Sequence, residues 1–202
     1  MTTVPKTYGV ALLAGLVLLL GSTVAYLVSG RPVNDGVVGG TVGVWAAFCL
    51  VVGYVGLART FEPVAPKSSA ALAVLAVVGL MTGYGYGVEA IHLEHLGADV
   101  WSQPFDNPLG YFAFDPWGLC LPLAFLLTGV LFLRSGLYAR WPAVPLLVGG
   151  LLFVPSREAG VGALAVAADL CLVLGLAPAA LAMLARPAAA ARLGTKVPEV
   201  HR

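Results

Sequence analysis

The sequence predicts an all-α membrane protein, a polytopic bundle of six transmembrane helices, and three observations support this. Of the 202 residues, 59% are hydrophobic and only 10% are charged, and the mean hydropathy is +0.92. A soluble domain is typically about 25% charged, so lipid is the predicted solvent for this much apolar surface. The apolar residues form six runs, and the basic residues lie mainly on one side of them.

Each predicted helix follows one apolar run, because a span needs about 20 residues at about 1.5 Å of rise per residue. The first run is longer than the apolar part of a signal peptide, so we interpret it as a retained helix. The fifth run is short and proline-rich, so it is either a thin, kinked span or a re-entrant segment. In chain order the runs are 8–29, 37–57, 69–89, 117–132 (or on to 138), 141–154 and 160–185.

The basic residues predict the topology through the positive-inside rule. With six spans and an internal N-terminus, nine basic residues lie in the cytoplasm and two, Arg31 and Arg157, lie outside. We therefore predict a membrane domain over 1–185 and a basic cytoplasmic tail over 186–202, in a multi-pass protein of the plasma membrane. The net charge is only +1 and no basic stripe is present, so nucleic acid is not an expected partner.

Asp169 is the most informative charged residue, because it lies inside the apolar run over 160–185. A carboxylate at that depth costs on the order of 3 kcal/mol, which a partner, a proton, a water-filled cavity or a ligand must offset. One interpretation is a neutral aspartic acid, hydrogen-bonded to Thr82, Tyr84 or Tyr86. The other is a functional acid or an ion site. Arg157, together with Glu158, is interpreted as a short exposed loop pair.

A second polar group follows the third apolar run and contains Glu89, His92, His95 and Asp99. If the third helix continues this far, these residues share an arc of about 120° at the membrane boundary. They are interpreted as a metal site with His92 and His95 as ligands, as a proton-handling group, or as the ordinary polar end of a helix. No other cofactor is predicted.

The longest connection, over 90–116, combines acidic and aromatic side chains, and long loops are often functional. The alternative is an interfacial aromatic belt. In the helix before it, Gly79, Gly83 and Gly87 form two small-xxx-small repeats, which predict close helix packing. The acidic candidates in the loop are Asp106 and Asp115, and the aromatic residues of interest are Trp101, Tyr111, Phe112, Phe114 and Trp117.

The segment 101–122, Trp-Ser-Gln-Pro-Phe-Asp-Asn-Pro-Leu-Gly-Tyr-Phe-Ala-Phe-Asp-Pro-Trp-Gly-Leu-Cys-Leu-Pro, resembles membrane-integral carotenoid enzymes. These are the lycopene cyclase domain and the carotenoid hydratases, and small membrane-bound terpene cyclases are loosely similar. The resemblance implies protonation of an isoprenoid double bond or epoxide by carboxylic acids, without a redox cofactor. The Glu-Glu pair that follows the proline in lycopene cyclases is replaced here by apolar residues after Pro122, so no catalytic residue carries over.

Three functions are therefore considered. The first is an enzyme that acts on an apolar isoprenoid by general acid catalysis; its aromatic side chains would stabilise a carbocation. The others are a small proton-coupled transporter and a non-catalytic subunit of a membrane complex. The sequence leaves open whether the chain forms a homo-oligomer. The candidate carboxylates are Asp169, Glu89, Asp106 and Asp115, and the candidate substrate contacts are Trp101, Tyr111, Phe112, Phe114, Trp117 and Tyr86.

Overall fold

A computed structural model describes residues 6–30, 36–96 and 116–185, with the backbone alone for 93–96. These residues form six helices and no strand, which confirms the all-α class. Five of the helices are long and apolar enough to cross a membrane, as expected of a multi-pass membrane protein. The helices are α1 Lys6–Val28, α2 Val37–Phe61, α3 Pro66–Leu96, α4 Cys120–Ser135, α5 Ala143–Glu158 and α6 Gly162–Ala185.

The fifth helix is the short one, as its sequence predicts. It has 16 residues, so it is about 24 Å long, less than the hydrocarbon thickness of about 30 Å. Pro155 lies inside it without ending it, and the helix continues to Glu158. The fourth apolar stretch, in contrast, reaches spanning length because its helical residues begin at Pro116.

The six helices form a closed ring, in which each packs against its neighbours in sequence and α6 packs against α1. Successive helices run antiparallel. We call the end where α1, α3 and α5 finish the loop end, because residues 97–115 connect α3 to α4 there. The opposite end, where α1 begins and α6 finishes, is the terminal end.

Glycine allows the closest of these helix contacts. A Cβ added at Gly53 would lie 2.6 Å from Leu12 Cα, and one at Gly79 would overlap the backbone nitrogen of Leu121. Gly87 faces the backbone of α2 in the same way. The close packing predicted from the glycine repeat is therefore confirmed at Gly79 and Gly87. Gly83 differs, because no atom of the described residues lies within 4 Å of a Cβ added there.

Aromatic side chains fill the interior of the ring in its terminal half and at its centre. The largest fully buried side chains include Tyr54, Phe61, Phe125 and Phe132. Phe61 and Phe132 lie 6.1 Å apart, as do Tyr54 and Phe125, measured between ring centroids. Phe153 extends this packing from α5, with its ring 5.4 Å from that of Phe125. Aromatic side chains are therefore closely packed in the terminal half and at the centre of the ring interior.

Replacing Tyr54 with phenylalanine should change the stability of the ring by less than about 0.5 kcal/mol, or raise it slightly. Its buried hydroxyl has no hydrogen-bond partner among the described residues, although Thr128, whose own hydroxyl donates to Ala124 O at 2.7 Å, is its neighbour. Removing an unsatisfied buried polar atom relieves its desolvation penalty. Thermal unfolding in detergent measures this, and a loss above about 1 kcal/mol would mean that the hydroxyl is paired.

Candidate functional site

Asp169 lies completely buried inside the ring, with 0% of its surface exposed. The Thr23 hydroxyl on α1 donates a hydrogen bond of 2.5 Å to Asp169 Oδ2, and Arg157 Nη2 on α5 donates one of 2.8 Å to Asp169 Oδ1. These short bonds have the lengths of charge-assisted contacts to a carboxylate. Thr23, Arg157 and Asp169 are called the polar cluster below, and they join three neighbouring helices.

Arg157 is held in place by two contacts besides the ion pair. Its Nη1 donates to Phe153 O at 3.1 Å, and the guanidinium carbon lies 3.7 Å from the centroid of the Phe153 ring. Stacking on an aromatic face suits the weakly hydrated, planar guanidinium. Its side chain is 11% exposed, so a small part of it is accessible.

The polar cluster is deep enough to need its own charge compensation. Asp169 is seven residues beyond the start of α6 at Gly162, which places it about 10 Å from that helix end. Two isolated charges at this depth would be costly, whereas a pair with good geometry and additional hydrogen bonds is tolerated. Of the compensations considered from the sequence, the structure shows side-chain partners at Asp169.

The partners themselves were not predicted. Arg157 is wrongly interpreted from the sequence as part of an exposed loop, because α5 continues past Pro155 and turns the arginine inward. The hydrogen bonds of Asp169 go to α1 and α5, and not to the α3 residues suggested from sequence. Thr82 instead donates to Val78 O in its own helix at 3.1 Å. One feature of the sequence could have indicated the position of Arg157. It follows Phe153 by four residues, which places both side chains on one face of a helix.

Glu89 and His92 lie on α3, which continues past the predicted bound at residue 89 to Leu96, so the condition set for a shared polar face is met as far as His92. At about 100° per residue, Glu89 and His92 lie about 140° and 160° around the helix axis from Ala76, which is buried and marks the inward face of α3. Glu89 is half-buried and has an interaction partner, whereas His92 is exposed, with Nδ1 2.9 Å from Val88 O in its own helix. The helix geometry therefore directs both side chains away from the polar cluster.

The metal hypothesis concerns residues that are described only in part. Within 6–30, 36–92 and 116–185, no three His, Cys, Asp or Glu side chains form a group that would hold a metal ion. The side chain of His95, and all of Asp99, lie outside the described residues.

The candidate loop residues fall mostly outside the described part of the chain. Of the aromatic candidates, Trp117 is exposed beside the start of α4, and Tyr86 is half-buried with its hydroxyl near Gly118. The structure brings neither to the polar cluster through a described contact. The candidates that lie outside the described residues are Trp101, Asp106, Tyr111, Phe112, Phe114 and Asp115.

Open space faces the ring interior at Gly83. Gly83 lies within about 20° of Ala76 around the α3 axis and between Leu80 and Gly87 on the inward face. Ala76 and Leu80 are buried, whereas Gly83 is only half-buried, and a Cβ there would meet no atom within 4 Å in the part of the chain that the structure describes. The tight packing of the core is therefore interrupted at this point.

This open space lies at about the depth of the polar cluster. A Cβ at Gly40 of α2 would lie 2.6 Å from Gly87 O, and one at Gly43 would lie 3.1 Å from Ser22 Oγ, next to Thr23. Because α2 and α3 are antiparallel, the step from Gly40 to Gly43 corresponds to a step from Gly87 to about residue 84. Gly83 and the polar cluster are therefore nearly level within the ring.

No protein-family model, no curated protein and no solved structure matches this chain. Function is therefore inferred from the chain's own residues and their contacts. The strongest feature for that purpose is a buried ion pair, at the depth of an open part of the ring interior.

Proposed function

We propose that this chain is an integral membrane enzyme that acts on an apolar, isoprenoid-type substrate, for example by cyclisation or hydration, with Asp169 as a catalytic carboxylate. The single observation that carries the proposal is the fully buried Asp169, held by Thr23 and Arg157 inside an apolar ring of helices. Ionisable residues inside membrane segments mark functional sites by default, because their placement is costly.

The packing of the interior favours an enzyme over the proton-coupled transporter. A carrier must open its site to both sides of the membrane in turn. Here the aromatic layers of Tyr54, Phe61, Phe125 and Phe132 close the interior between the polar cluster and the terminal end. A site that is reached from one side only suits a substrate that enters from the loop end and leaves the same way.

The contacts of Asp169 favour a proton-accepting role. Both of its oxygens accept hydrogen bonds, whereas a general acid must donate one. A cyclisation that begins with protonation of the substrate and ends with loss of a proton uses an acid and a base. In this proposal Asp169 removes the proton, and Asp106 or Asp115 supplies the acid, a role that the sequence alone assigned to Asp169 or Glu89.

The proposed topology has six spans, with both termini in the cytoplasm of a plasma-membrane protein. Basic residues at the terminal end support it, because Lys6, Arg59, Lys67, Arg134 and Arg140 all lie there. The polar cluster then lies in the outer half of the membrane. The short α5 would cross by local thinning of the bilayer or by tilting of its neighbours.

The proposal is tested by profiling apolar lipids in the native host by mass spectrometry. Wild type, a deletion strain, Asp169→Asn and the exposed-residue control Glu62→Gln are compared at equal protein abundance. Asparagine keeps the shape and can still accept from Arg157, but it is not a base, so product should fall by about 10²–10⁴-fold. Deletion and Asp169→Asn should accumulate the same precursor, while Glu62→Gln should match wild type.

Two results would contradict this. Identical lipid profiles in the deletion strain and wild type would remove the enzymatic function. A profile change in the deletion strain that Asp169→Asn fully rescues would keep an enzyme but remove Asp169 from its chemistry.

A further inference from the structure

We infer that the site takes a neutral, oxygen-bearing apolar molecule, whose ketone, ether or hydroxyl oxygen accepts hydrogen bonds from Arg157. This rests on the proposed function and names the class of its substrate. Two other classes of isoprenoid are thereby disfavoured: pure hydrocarbons, which offer no acceptor, and phosphorylated chains, which carry net negative charge.

The charge balance of the site carries the first step. Arg157 and Asp169 are paired at 2.8 Å, so together they present no net charge to a ligand. An anionic head group that bound Arg157 would lie close to the Asp169 carboxylate, where repulsion is strong because little water is present to screen it. A neutral acceptor oxygen meets no such repulsion.

The hydrogen-bond capacity of Arg157 carries the second step. A guanidinium has five N–H donors, and acceptors in the described part of the chain engage two of them, through Phe153 O and Asp169 Oδ1. Asp169 in turn has an acceptor role on both oxygens. Asp169 is completely buried, whereas 11% of the Arg157 side chain is accessible, so the accessible hydrogen-bonding capacity of the pair is the remaining donors of Arg157.

The rigidity of Arg157 makes these donors usable. Stacking on Phe153 and the bond to Asp169 fix the guanidinium plane, so little conformational entropy is lost when a ligand binds. The ligand does not have to pull the arginine out of its position.

The open space at Gly83 carries the third step. It lies on the inward face of α3 at the depth of the polar cluster, next to the buried side chain of Leu80. We place the apolar body of the ligand in this space, where it would exchange lipid for an apolar wall at the depth of Arg157. A polar head without a hydrocarbon body would leave the space unfilled.

Binding to the purified full-length protein in nanodiscs tests this with three probes that share one carbon skeleton: farnesol, farnesene and farnesyl phosphate. Farnesol should bind at least about tenfold more tightly than either of the others, the size expected of a hydrogen bond to a charged donor. Arg157→Lys keeps the charge but loses the planar, stacked donors, so farnesol should then bind no better than farnesene.

Gly83→Leu provides an independent variant, since it fills the open space without touching the ion pair. It should abolish farnesol binding, while Gly83→Ala should bind nearly as well as wild type. Tighter, salt-sensitive binding of farnesyl phosphate would overturn the inference in favour of an anion site. Equal binding of all three probes, or farnesol binding that is unaffected in both Arg157→Lys and Gly83→Leu, would overturn it as well.

The binding assay is separable from the lipid profile. Farnesol binding that depends on Arg157, with no lipid change in the deletion strain, would keep the site and remove the catalysis. A lipid change that depends on Asp169, without the preference for farnesol, would keep the enzyme and remove this substrate class.

Discussion

Arg157→Leu is expected to destabilise the helix ring by about 3–5 kcal/mol, because it leaves Asp169 buried without its counter-charge. Leucine fills a similar volume over Phe153, so the loss is mainly electrostatic. Thr23 continues to donate to Asp169, but one hydroxyl does not replace a guanidinium. Thermal or denaturant unfolding of the detergent-solubilised protein measures the difference.

The matched control is the double variant Arg157→Leu with Asp169→Leu, which removes both charges. Replacing a buried ion pair by apolar residues is often neutral or stabilising, so this variant should be within about 1 kcal/mol of wild type. Together with the single variants Arg157→Leu and Asp169→Leu, it forms a double-mutant cycle that isolates the coupling free energy between the two side chains. Equal stability of Arg157→Leu and wild type would mean that the pair contributes nothing to the fold.

Gly79→Ala is expected to destabilise the ring by about 3 kcal/mol or more, because its Cβ would overlap the backbone of Leu121 in α4. A backbone atom cannot move aside as a flexible side chain can, so α3 and α4 must separate, and overpacking of this kind is costly. Unfolding in detergent again measures the change.

Gly83→Ala is the control for this variant, four residues away on the same helix. Its Cβ would enter open space, and alanine is favoured over glycine in a helix by about 0.5–1 kcal/mol, so the change should be neutral or stabilising. Two glycines in one repeat are therefore expected to respond with opposite sign. Similar losses at both positions would contradict the open space at Gly83.

The helices themselves were largely predictable, because a long apolar run has few alternatives in lipid. The start of α2 at residue 37 and the end of α6 at residue 185 match the predicted bounds, and α5 was expected to be short. The observed differences arise where polar residues extend a helix. Continuation of α3 to residue 96 and of α5 to 158 depends on local backbone bonding, which hydropathy does not report.

Asp169 was identified from the sequence because a charge inside an apolar run is visible without knowing the fold. The same pattern predicts that the cost of the carboxylate is offset, by a partner, a proton, a water-filled cavity or a ligand, since an isolated carboxylate is costly in lipid. Its partner Arg157 was missed because it lies near a helix end, where an arginine ordinarily reaches water. Only the packing of α5 on α6 turns it toward the interior.

The sequence by itself determined the helical class, the number of apolar segments and the one carboxylate whose cost inside an apolar segment must be offset. The tertiary structure decided which helices are neighbours, and with that the identity of every partner in the polar cluster. It also decided that Gly79 carries a close helix contact and that Gly83 faces open space. Hydrophobicity is a property of each segment, whereas pairing and cavities arise only from the relative positions of segments that are distant in sequence.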